Sequence, residues 1–440
     1  MHIEDTLPVM ISSMTPIDDR AAGGRARPPM NVLFVHNNFP AQYRHIARAL
    51  AEQPGNKVVA VGSSTASTTR DIRLLKYSTT KSDSAMVHPF ARRFDVEARR
   101  AEEVLYALSS LSGQGFVPDL IFAHPGWGET LPLRTMFPKA RIILYCEFYY
   151  GAEGRDVGFD PEFPMTGLDG NVALHLKNAT TLLALTECDS GVSPTPWQRS
   201  TFPREFQSKI DVIHEGVDTD EVKPNPVARF QLPNGATLSA DDEVITYVSR
   251  NLEPVRGFHV FMRSLPRILA ARPNAQVVIV GGSGTSYGAN PPKGSSWKSM
   301  FLDEIRSDID LRRVHFLGRI PREQYLALLQ ISSVHVYLTY PFVLSWSLLE
   351  AMSAGCAVVA SDTAPLRDII SDGNGLLAPF FDTDALSDQV VSVLSRPKAF
   401  KKMRMKARSF VRDNYDAKRV CLPQMLTLVD EGVLPRTHGG

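Results

Sequence analysis

The chain has little cysteine and no long apolar run, and both absences exclude classes of protein. Its four cysteines, Cys146, Cys188, Cys356 and Cys421, lie far apart and form no C-x-x-C pair. A thiolate metal site or a redox motif is therefore not expected, and a reducing cytoplasm is the predicted compartment. No apolar stretch approaches the roughly 20 residues that a membrane-spanning helix needs.

The chain also lacks an excess of charge of either sign. It has 48 lysines and arginines against 47 aspartates and glutamates. Nucleic-acid binding needs a clustered basic excess that neutralises phosphates, so no nucleic-acid partner is expected. The hydrophobic fraction of 43% is ordinary for a soluble globular protein, and 440 residues predict two or three domains.

The first 29 residues differ in character from the rest. Residues 1–29 contain acids and prolines and lack the apolar core of a signal peptide. We predict a disordered extension there, with Met30 as a candidate start of the protein. The run at 31–35 that follows has the pattern of a buried parallel strand.

Short apolar runs alternate with helical patterns through the first half of the chain. The predicted strands of a first domain, 30–223, are 31–35, 58–61, 120–123, 142–145, 182–185 and 210–213, with helices at 42–51 and 97–111. Such alternation is typical of a parallel sheet covered by helices on both faces. A doubly wound, Rossmann-like α/β domain is therefore predicted.

A second series of the same kind follows a break. Between 224 and 242 the periodicity lapses and Pro, Asn and Gly accumulate, which predicts a linker. The second domain, 243–415, has predicted strands at 244–248, 277–280, 314–317, 334–338 and 357–360. The basic stretch 398–408 and the segment 416–440 are predicted as C-terminal helices.

Four segments in this second half resemble motifs of the retaining family 4 glycosyltransferases. Residues 246–257, TYVSRNLEPVRG, are similar to G-R-L-x-x-x-K-G, and residues 348–362, LLEAMSAGCAVVASD, to L-L-E-A-M-A-x-G-x-P-V-V-A. Residues 211–218, DVIHEGVD, resemble I-x-V-I-P-N-G-V-D, and residues 371–377, SDGNGLL, resemble E-D-G-x-N-G-L-L. The resemblance implies a GT-B fold, in which two Rossmann-like domains face each other across a cleft and the last helix, 416–440, crosses back to the first domain.

The predicted donor site combines arginines at a strand end with the start of a helix. Arg250 and Arg256 follow a strand, where open α/β sheets bind ligands, and are predicted to hold a diphosphate and to stabilise its charge as it leaves. The helix that opens near Ser345 presents free amides and a positive dipole end. Glu350, one turn in, is predicted to bind a ribose diol. The alternatives are solvated surface arginines and an acid that merely complements the dipole.

Further donor contacts are predicted in the turns after the second domain's strands. They are Gly282, Tyr287, Gly318, Arg319, Leu344, Trp346 and Ser347, together with Ser345. Tyr287 occupies the last glycine position of a G-x-G-x-x-G pattern, so NAD binding is not expected and a surface turn remains the alternative. Phe342 stands where the family has a glutamate near the donor sugar; a deoxysugar or a shifted loop would each explain it.

The first domain is predicted to face the acceptor. His124 ends a predicted strand and matches the last histidine of the family's H-x-H-type segment, which implies a catalytic role, although a lone histidine is more often structural. Phe39, Gln42, Trp127 and Glu147 are the remaining acceptor-side residues. No cofactor and no metal are expected, because short D-x-D matches such as 218–220 arise readily by chance.

The predicted function is that of a retaining, metal-independent glycosyltransferase in the cytoplasm. It would move a hexose or deoxyhexose from a nucleotide-diphosphate sugar to a hydroxyl of a glycan or polyprenyl-linked glycan. Arginines at 92–93 and 99–100 would rest on the inner face of a membrane, or belong to a solvated helix face. A catalytically impaired nucleotide-sugar-binding partner and a nucleotide-sugar epimerase remain as alternatives on the same fold.

Overall fold

The computed structural model describes residues 28–68, 71–79, 86–164 and 167–431. Most of the predicted extension, 1–27, and the end of the predicted last helix, 432–440, lie outside the described residues. Met30 belongs to the folded chain, because its side chain is buried and its N–H donates to Asn56 Oδ1 at 3.0 Å. No helix within the described ranges is long and apolar enough to cross a membrane.

The first domain is built on a sheet of seven parallel strands in the order β3-β2-β1-β4-β5-β6-β7. They are β1 Asn31–Val35, β2 Lys57–Gly62, β3 Arg73–Lys76, β4 Leu120–Ala123, β5 Arg141–Tyr145, β6 Ser190–Ser193 and β7 Ile210–Val212. The helices of this half are α1 Arg44–Ala51, α2 Arg92–Gly113, α3 Leu133–Met136, α4 Gly167–Leu176, α5 Ala179–Glu187, α6 Pro196–Ser200 and α7 Arg204–Gln207. Apolar side chains of β1, β4 and β5 are buried on both faces of the sheet, as a central parallel strand requires.

The second domain has a sheet of six parallel strands in the order β12-β11-β10-β13-β14-β15. They are β10 Val244–Asn251, β11 Gln276–Gly282, β12 Val314–Gly318, β13 Val334–Tyr337, β14 Ala357–Ser361 and β15 Leu376–Ala378. Its helices are α8 Phe258–Ala271, α9 Trp297–Ile305, α10 Arg322–Ile331, α11 Trp346–Ala354, α12 Ala364–Arg367, α13 Thr383–Ser395 and α14 Lys401–Tyr415.

Two predictions of secondary structure are wrong. The apolar run 182–185 lies in α5, and the strand of this region is β6, which follows it. A run of four apolar residues fits a helix packed on a sheet as well as it fits a strand. The stretch 224–242, predicted as a linker, contains an antiparallel hairpin of β8 Arg229–Gln231 and β9 Thr237–Ser239. Phe230 and Leu238 of the hairpin pack with Leu328 of α10, so the hairpin is part of the second domain.

The C-terminal segment returns to the first domain. After α14 a π-helical turn, Ala417–Cys421, leads into α15, Leu422–Glu431. Leu428 of α15 packs in one core cluster with Ile46 of α1, and its carbonyl accepts a hydrogen bond from Arg141 Nη1 at 2.7 Å. The second domain is thereby fastened to the first by a helix as well as by the connection after β7.

A second bridge lies on the cleft side, in the segment that follows β5. Asp160 of this segment is buried and bonds His259 Nε2 at 2.9 Å and the hydroxyl of Tyr340 at 2.7 Å, both in the second domain. Phe148 of the same segment meets Phe342 with ring centres 4.9 Å apart. Loops at the carboxyl ends of both sheets therefore face each other across one cleft. The predicted fold class, two Rossmann-like domains in the GT-B arrangement, is confirmed.

Candidate active site

Each sheet has a point at which its strand order reverses, and the loops that leave these points meet in the cleft. The reversals are at β1/β4 in the first sheet and at β10/β13 in the second. Ligands of open α/β sheets bind in the crevice outside the carboxyl ends of strands at such a point. His36 and His124 follow β1 and β4, whereas Arg256 and Ser345 follow β10 and β13.

Arg256 is a buried cation whose side chain bonds no carboxylate among the described residues. Its side chain is 5% exposed, and its Nη1 donates to Thr339 Oγ1 at 3.0 Å and to the carbonyl oxygen of Val343 at 2.7 Å. Within the described part of the chain, no carboxylate oxygen lies within 4.0 Å of the guanidinium, and Nε and Nη2 have no hydrogen-bond partner. A buried charge is costly unless it is paired. Arg256 therefore has the charge and the unused N–H donors that binding of an anion requires.

Two aromatic rings fix the orientation of the Arg256 guanidinium. It lies 5.1 Å from the ring centre of Tyr287 and 5.5 Å from that of Phe342. Phe342 is 2% exposed, so the position where the family has a glutamate is here an apolar wall. Gly257 follows at φ 65, and a Cβ there would lie 2.4 Å from Leu338 Cβ, so the turn that presents Arg256 requires glycine.

The N-terminus of α11 presents amides that no side chain caps. Ser345 is the N-cap residue, but its side chain makes no capping hydrogen bond and its Oγ pairs instead with Ser347 Oγ at 2.7 Å. The N–H of Ser345 donates to the hydroxyl of Tyr337 at 2.7 Å, which holds the turn in place. The first-turn amides and the positive end of the helix dipole are therefore available to an anion beside Arg256.

Two side chains of α10 hold the Glu350 carboxylate in place by hydrogen bonds. One oxygen accepts from Arg322 Nη1 at 2.8 Å and the other from the hydroxyl of Tyr325 at 2.7 Å. Arg322 is shared with Glu221, whose carboxylate it bonds at 3.0 and 2.9 Å. Glu350 and Trp346 line a cavity of about 550 Å³ between α1 and α11. Each carboxylate oxygen retains a lone pair that can face this cavity.

The structure gives the two predicted donor arginines different surroundings. Arg256 is buried, whereas Arg250 is exposed and its side chain has no hydrogen bond or ion pair within the described ranges. In the motif G-R-L-x-x-x-K-G the arginine stands five positions before the lysine. Asn251 stands five positions before Arg256, and Arg250 stands six before it. Asn251 is 5% exposed and donates to Ser286 Oγ at 2.6 Å, so the residue at the motif's arginine spacing is an uncharged amide.

The glycine-rich loop after β11 folds around a carboxylate that sequence reasoning missed. Glu253 is fully buried, and its Oε2 accepts from the backbone N–H groups of Ser286, Tyr287 and Gly288 at 3.1, 3.1 and 3.3 Å. This carboxylate sets the position of Tyr287 against Arg256. An acid two residues after a strand and directly before a proline was the available signal.

The other predicted donor residues lie around this loop and at the start of α11. A Cβ on Gly282 would lie 2.5 Å from Asn251 Oδ1 and 3.3 Å from Arg319 Nε, so these three residues meet. Gly318, at φ 65, precedes the exposed Arg319. Leu344 is half-buried and packs on the core between α11 and α14.

His124, Gln42 and Glu147 meet on the first domain's side of the cleft. His124 Nδ1 accepts from the N–H of Gly126 at 3.1 Å, and its Nε2 lies 3.4 Å from Glu147 Oε2. Gln42 Nε2 donates to Glu147 Oε1 at 3.0 Å. Burial alone would raise the pKa of Glu147, but the hydrogen bonds from His124 and Gln42 outweigh it and hold the pKa below its ordinary value. The site therefore holds an ionised carboxylate.

Two predicted acceptor-side aromatics have different positions. Trp127 is half-buried and stacks on His124 with ring centres 4.0 Å apart. Phe39 is 1% exposed and packs in the core on Phe34, with ring centres 5.7 Å apart. The prediction that Phe39 contacts an acceptor is therefore not supported by its burial.

Trp346 at the start of α11 contacts Glu215, which follows β7 of the first domain. The indole Nε1 of Trp346 donates to one oxygen of Glu215, and the hydroxyl of Tyr145 donates to the other at 2.7 Å. Arg44 of α1 lies over the Trp346 ring, 5.7 Å from its centre. The first turn of α11 thus contacts the first domain directly, which sequence reasoning did not foresee.

Comparison with known proteins agrees with the fold. Residues 54–222 match the model "Glycosyl transferase family 4 group", and residues 231–410 match "Glycosyl transferases group 1". The chain is a family 4-like member of the GT-B glycosyltransferases. The D-inositol 3-phosphate glycosyltransferase of Mycobacteroides abscessus is 28% identical over 191 residues, which are 43% of this chain and 40% of that protein. The phosphatidyl-myo-inositol mannosyltransferase of Mycolicibacterium smegmatis is 27% identical over 183 residues, 37% of this chain and 42% of that protein. The matches thus span about two fifths of these curated relatives.

Solved glycosyltransferases share the fold over almost the whole chain. The sucrose-phosphate synthase of Thermosynechococcus elongatus superposes with a TM-score of 0.68 at 18% identity, over 92% of this chain and 99% of that one. HepE of Anabaena, solved in complex with UDP and glucose, gives a TM-score of 0.60 at 15% identity, over 91% and 100%. These likenesses show the fold of the GT-B glycosyltransferase.

Proposed function

We propose that this GT-B glycosyltransferase moves a hexose or deoxyhexose from a nucleotide-diphosphate sugar to a hydroxyl of a glycan or lipid-linked glycan. The observation that carries the proposal is Arg256, a buried guanidinium with no carboxylate partner in the described ranges, beside the uncapped start of α11. A diphosphate satisfies both at once, because its oxygens accept hydrogen bonds from guanidinium and amide N–H groups.

In this mechanism the second domain binds the leaving group. Arg256 and the amides at Trp346 and Ser347 stabilise the negative charge that grows on the diphosphate as the bond to the sugar breaks, and preorganised donors of this kind contribute about 3 kcal/mol each. Glu350 accepts hydrogen bonds from the ribose diol. The sugar keeps its anomeric configuration, and the acceptor's proton passes to the leaving phosphate on the same face. With this fixed positive charge the transfer proceeds without a metal ion.

The first domain holds the acceptor against the sugar. His124, Gln42 and Glu147 form a fixed polar group opposite Arg256, at the carboxyl ends of β4 and β5. Because the two domains approach each other here, the acceptor hydroxyl and the donor sugar are brought together while water is excluded.

An exposed apolar helix supports contact with a lipid-linked acceptor at the inner face of the membrane. Leu168, Val172 and Leu176 share one side of α4 and are 81%, 43% and 37% exposed. The helix contacts the turn that precedes α2, where Arg92 is exposed. Apolar side chains bordered by basic ones favour an anionic bilayer surface. Two of the other predicted basic residues, Arg93 and Arg99, are neutralised by acids on α2 itself.

One experiment tests the proposal directly. The protein is incubated with UDP-, GDP- and dTDP-hexoses with and without EDTA, and release of nucleoside diphosphate is followed against time. Slow release from one donor, unchanged by EDTA and lowered by Arg256→Ala, supports the proposal. Epimer formation would show a different reaction on the same fold.

A second candidate, a nucleotide-sugar-binding protein that has lost turnover, is favoured by one observation. Asn251 and Phe342 stand where the family motifs carry an arginine and a glutamate, so two charged groups are missing from the site. Tight binding of a donor by calorimetry, with no release of nucleoside diphosphate and no transfer to any acceptor, would establish this candidate instead.

A further inference from the structure

The end of β10 lacks the cation that the family motif places there. Asn251, at the motif's arginine spacing, is 5% exposed and pairs in register with Gly282 of β11, after an irregularity in the pairing that begins at Val248. Successive residues of a strand point to opposite sides, and Arg250 is exposed. Arg250 therefore points away from the position that Asn251 occupies, and that position holds an uncharged amide.

Asn251 has an unused acceptor that is held in a fixed place. Its Nδ2 donates to Ser286 Oγ at 2.6 Å, and the N–H of Ser286 in turn donates to Glu253 Oε2 at 3.1 Å. Because Nδ2 is bonded to Ser286, Oδ1 faces the other way. Oδ1 is buried and has no hydrogen-bond partner in the part of the chain that the structure describes. Buried polar atoms are nearly always hydrogen-bonded, so we expect a donor to reach Oδ1 when the site is filled.

Arg319 brings a cation to this oxygen. A Cβ on Gly282 would lie 2.5 Å from Asn251 Oδ1 and 3.3 Å from Arg319 Nε, so both atoms border the space that this glycine leaves open. Arg319 follows β12, and β12, β11 and β10 are neighbours in the sheet, so the turns after them meet at one edge. The Arg319 guanidinium makes no hydrogen bond and no ion pair within the described ranges.

One guanidinium can bind both the amide and an anion. It carries five N–H donors in a planar fork, so Nε–H can donate to Asn251 Oδ1 while the two Nη groups face a phosphate. A neutral amide orients the arginine and leaves its charge unpaired, whereas a carboxylate at position 251 would neutralise it. Charge-assisted hydrogen bonds from the Nη groups then favour a ligand with negative oxygens.

We propose that Arg319 takes the place of the motif's arginine. Anchored by Asn251 Oδ1, it holds the donor's diphosphate from the β12 side, while Arg256 holds it from the β10 side. The positive charge of the site is thus relocated to a neighbouring strand, and Asn251 is the residue that positions it. The inference rests on the proposed function, since it assigns a further cation to the donor of that transfer.

Paired ligands separate a contact to the diphosphate from a contact to the base. UDP, GDP and dTDP are titrated by calorimetry, and uridine, guanosine and thymidine by saturation-transfer NMR; the diphosphate that binds the wild type most tightly is then used with its nucleoside. We expect Arg319→Ala to weaken the diphosphate by about tenfold and the nucleoside by less than about twofold. Arg312→Ala, an exposed arginine in the turn before β12, should change neither.

Restoring the motif's arginine tests the relocation itself. In an Asn251→Arg background, Arg319→Ala should weaken the diphosphate by less than about threefold, because the charge is supplied from β10 again. A purely structural role of Arg319 would give the same loss in both backgrounds. Position 251 is buried, so Asn251→Ala is the second variant. It should weaken the diphosphate severalfold when Arg319 is present and much less when residue 319 is alanine, with unchanged melting temperatures.

Three results would overturn the inference. They are wild-type affinity of Arg319→Ala for the diphosphate, an equal loss of affinity for the nucleoside, which would make Arg319 a contact of the base, and additive losses from the changes at 251 and 319. Failure of the proposed function has a different signature, because then no nucleoside diphosphate binds the wild type, and the inference falls with it.

Discussion

The guanidinium of Arg256 lies 5.5 Å from the centre of the Phe342 ring, so a buried cation borders an apolar wall where the family motif carries a glutamate. A glutamate at position 342 would contact the donor sugar and would also neutralise part of the charge of Arg256. With phenylalanine there, and with no carboxylate within 4.0 Å among the described residues, the charge of Arg256 is free for the diphosphate of the proposed donor.

We therefore expect Arg256→Ala to lower turnover by about a hundredfold, which corresponds to the loss of one preorganised donor to the leaving group. Arg250→Ala is the matched control, because Arg250 is an exposed arginine only six positions away. It should change turnover by less than threefold. Steady-state rates with saturating donor give both values. Equal losses in the two variants would show that Arg250 also holds the diphosphate, and near-normal turnover of Arg256→Ala would place the diphosphate elsewhere.

Glu350 is expected to act on the ribose and not in acid–base chemistry. Glu350→Gln should raise the donor KM by about tenfold, because charge-assisted hydrogen bonds contribute about 1.5–3 kcal/mol each. A 2′-deoxyribose donor should lose less on the mutation, since it lacks part of the contact, as in a double-mutant cycle. Glu221→Gln removes the other partner of Arg322 and controls for loosening of that arginine. An equal penalty for ribose and deoxyribose donors would leave Glu350 a purely structural role.

The exposed face of α4 gives a prediction for membrane contact. Replacing Leu168 and Val172 together by glutamate should reduce binding to phosphatidylglycerol vesicles by about tenfold, because apolar burial is lost and like charges repel. Val227→Glu, at a position 75% exposed beside the hairpin of the second domain, should have no effect. Vesicle flotation measures both. Equal flotation of the wild type and the double variant would show that α4 does not meet the bilayer.

Sequence patterns predicted buried, apolar strands correctly and failed for strands that are polar or short. The run at 31–35 is β1 because a central parallel strand must be apolar on both faces. Strand β6, Ser-Gly-Val-Ser, carries no such signal, and the apolar run just before it belongs to α5. The hairpin at β8 and β9 was missed because three-residue strands leave too short a pattern.

For the site, motifs located the elements but not the contacts. Arg256 and Ser345 were predicted as site residues because their motifs place them after a strand and at a helix start, which is where the structure has them. The difference between Arg250 and Asn251 needed the spacing within the motif and their burial. Glu253 was missed because its role depends on a loop 33–35 residues later folding back onto it. Contacts between distant segments of this kind leave no local pattern.

Glu253 is expected to control both stability and donor binding. Glu253→Gln replaces one carboxylate oxygen by an amide nitrogen that cannot accept from the N–H groups of Tyr287 and Gly288. Loss of charge-assisted bonds should cost about 2–3 kcal/mol of folding free energy. The donor KM should rise by more than tenfold because Tyr287 no longer orients Arg256. Denaturation and hydrogen exchange at 286–288 test this, and protection equal to wild type would contradict it.

Glu129 makes stability depend on pH near neutrality. It is fully buried, accepts a hydrogen bond from the hydroxyl of Tyr77, and its Oε2 has no partner among the described residues. Burial raises the pKa of this carboxyl to about 7, whereas an unfolded glutamate has a pKa of about 4.3. Between these values the folded protein binds more protons than the unfolded one, so this group's contribution to stability falls as pH rises towards 7.

Glu129→Gln isolates that contribution, because glutamine keeps a hydrogen bond to Tyr77 and does not titrate. Relative to the wild type, the variant should gain about 3 kcal/mol of unfolding free energy between pH 5 and pH 8, since each pKa unit corresponds to 1.36 kcal/mol. Denaturant unfolding of both proteins at the two pH values gives the difference. Other titrating groups cancel because they are common to both proteins. A difference that is the same at pH 5 and pH 8 would mean that Glu129 is ionised throughout, with its charge satisfied inside the fold.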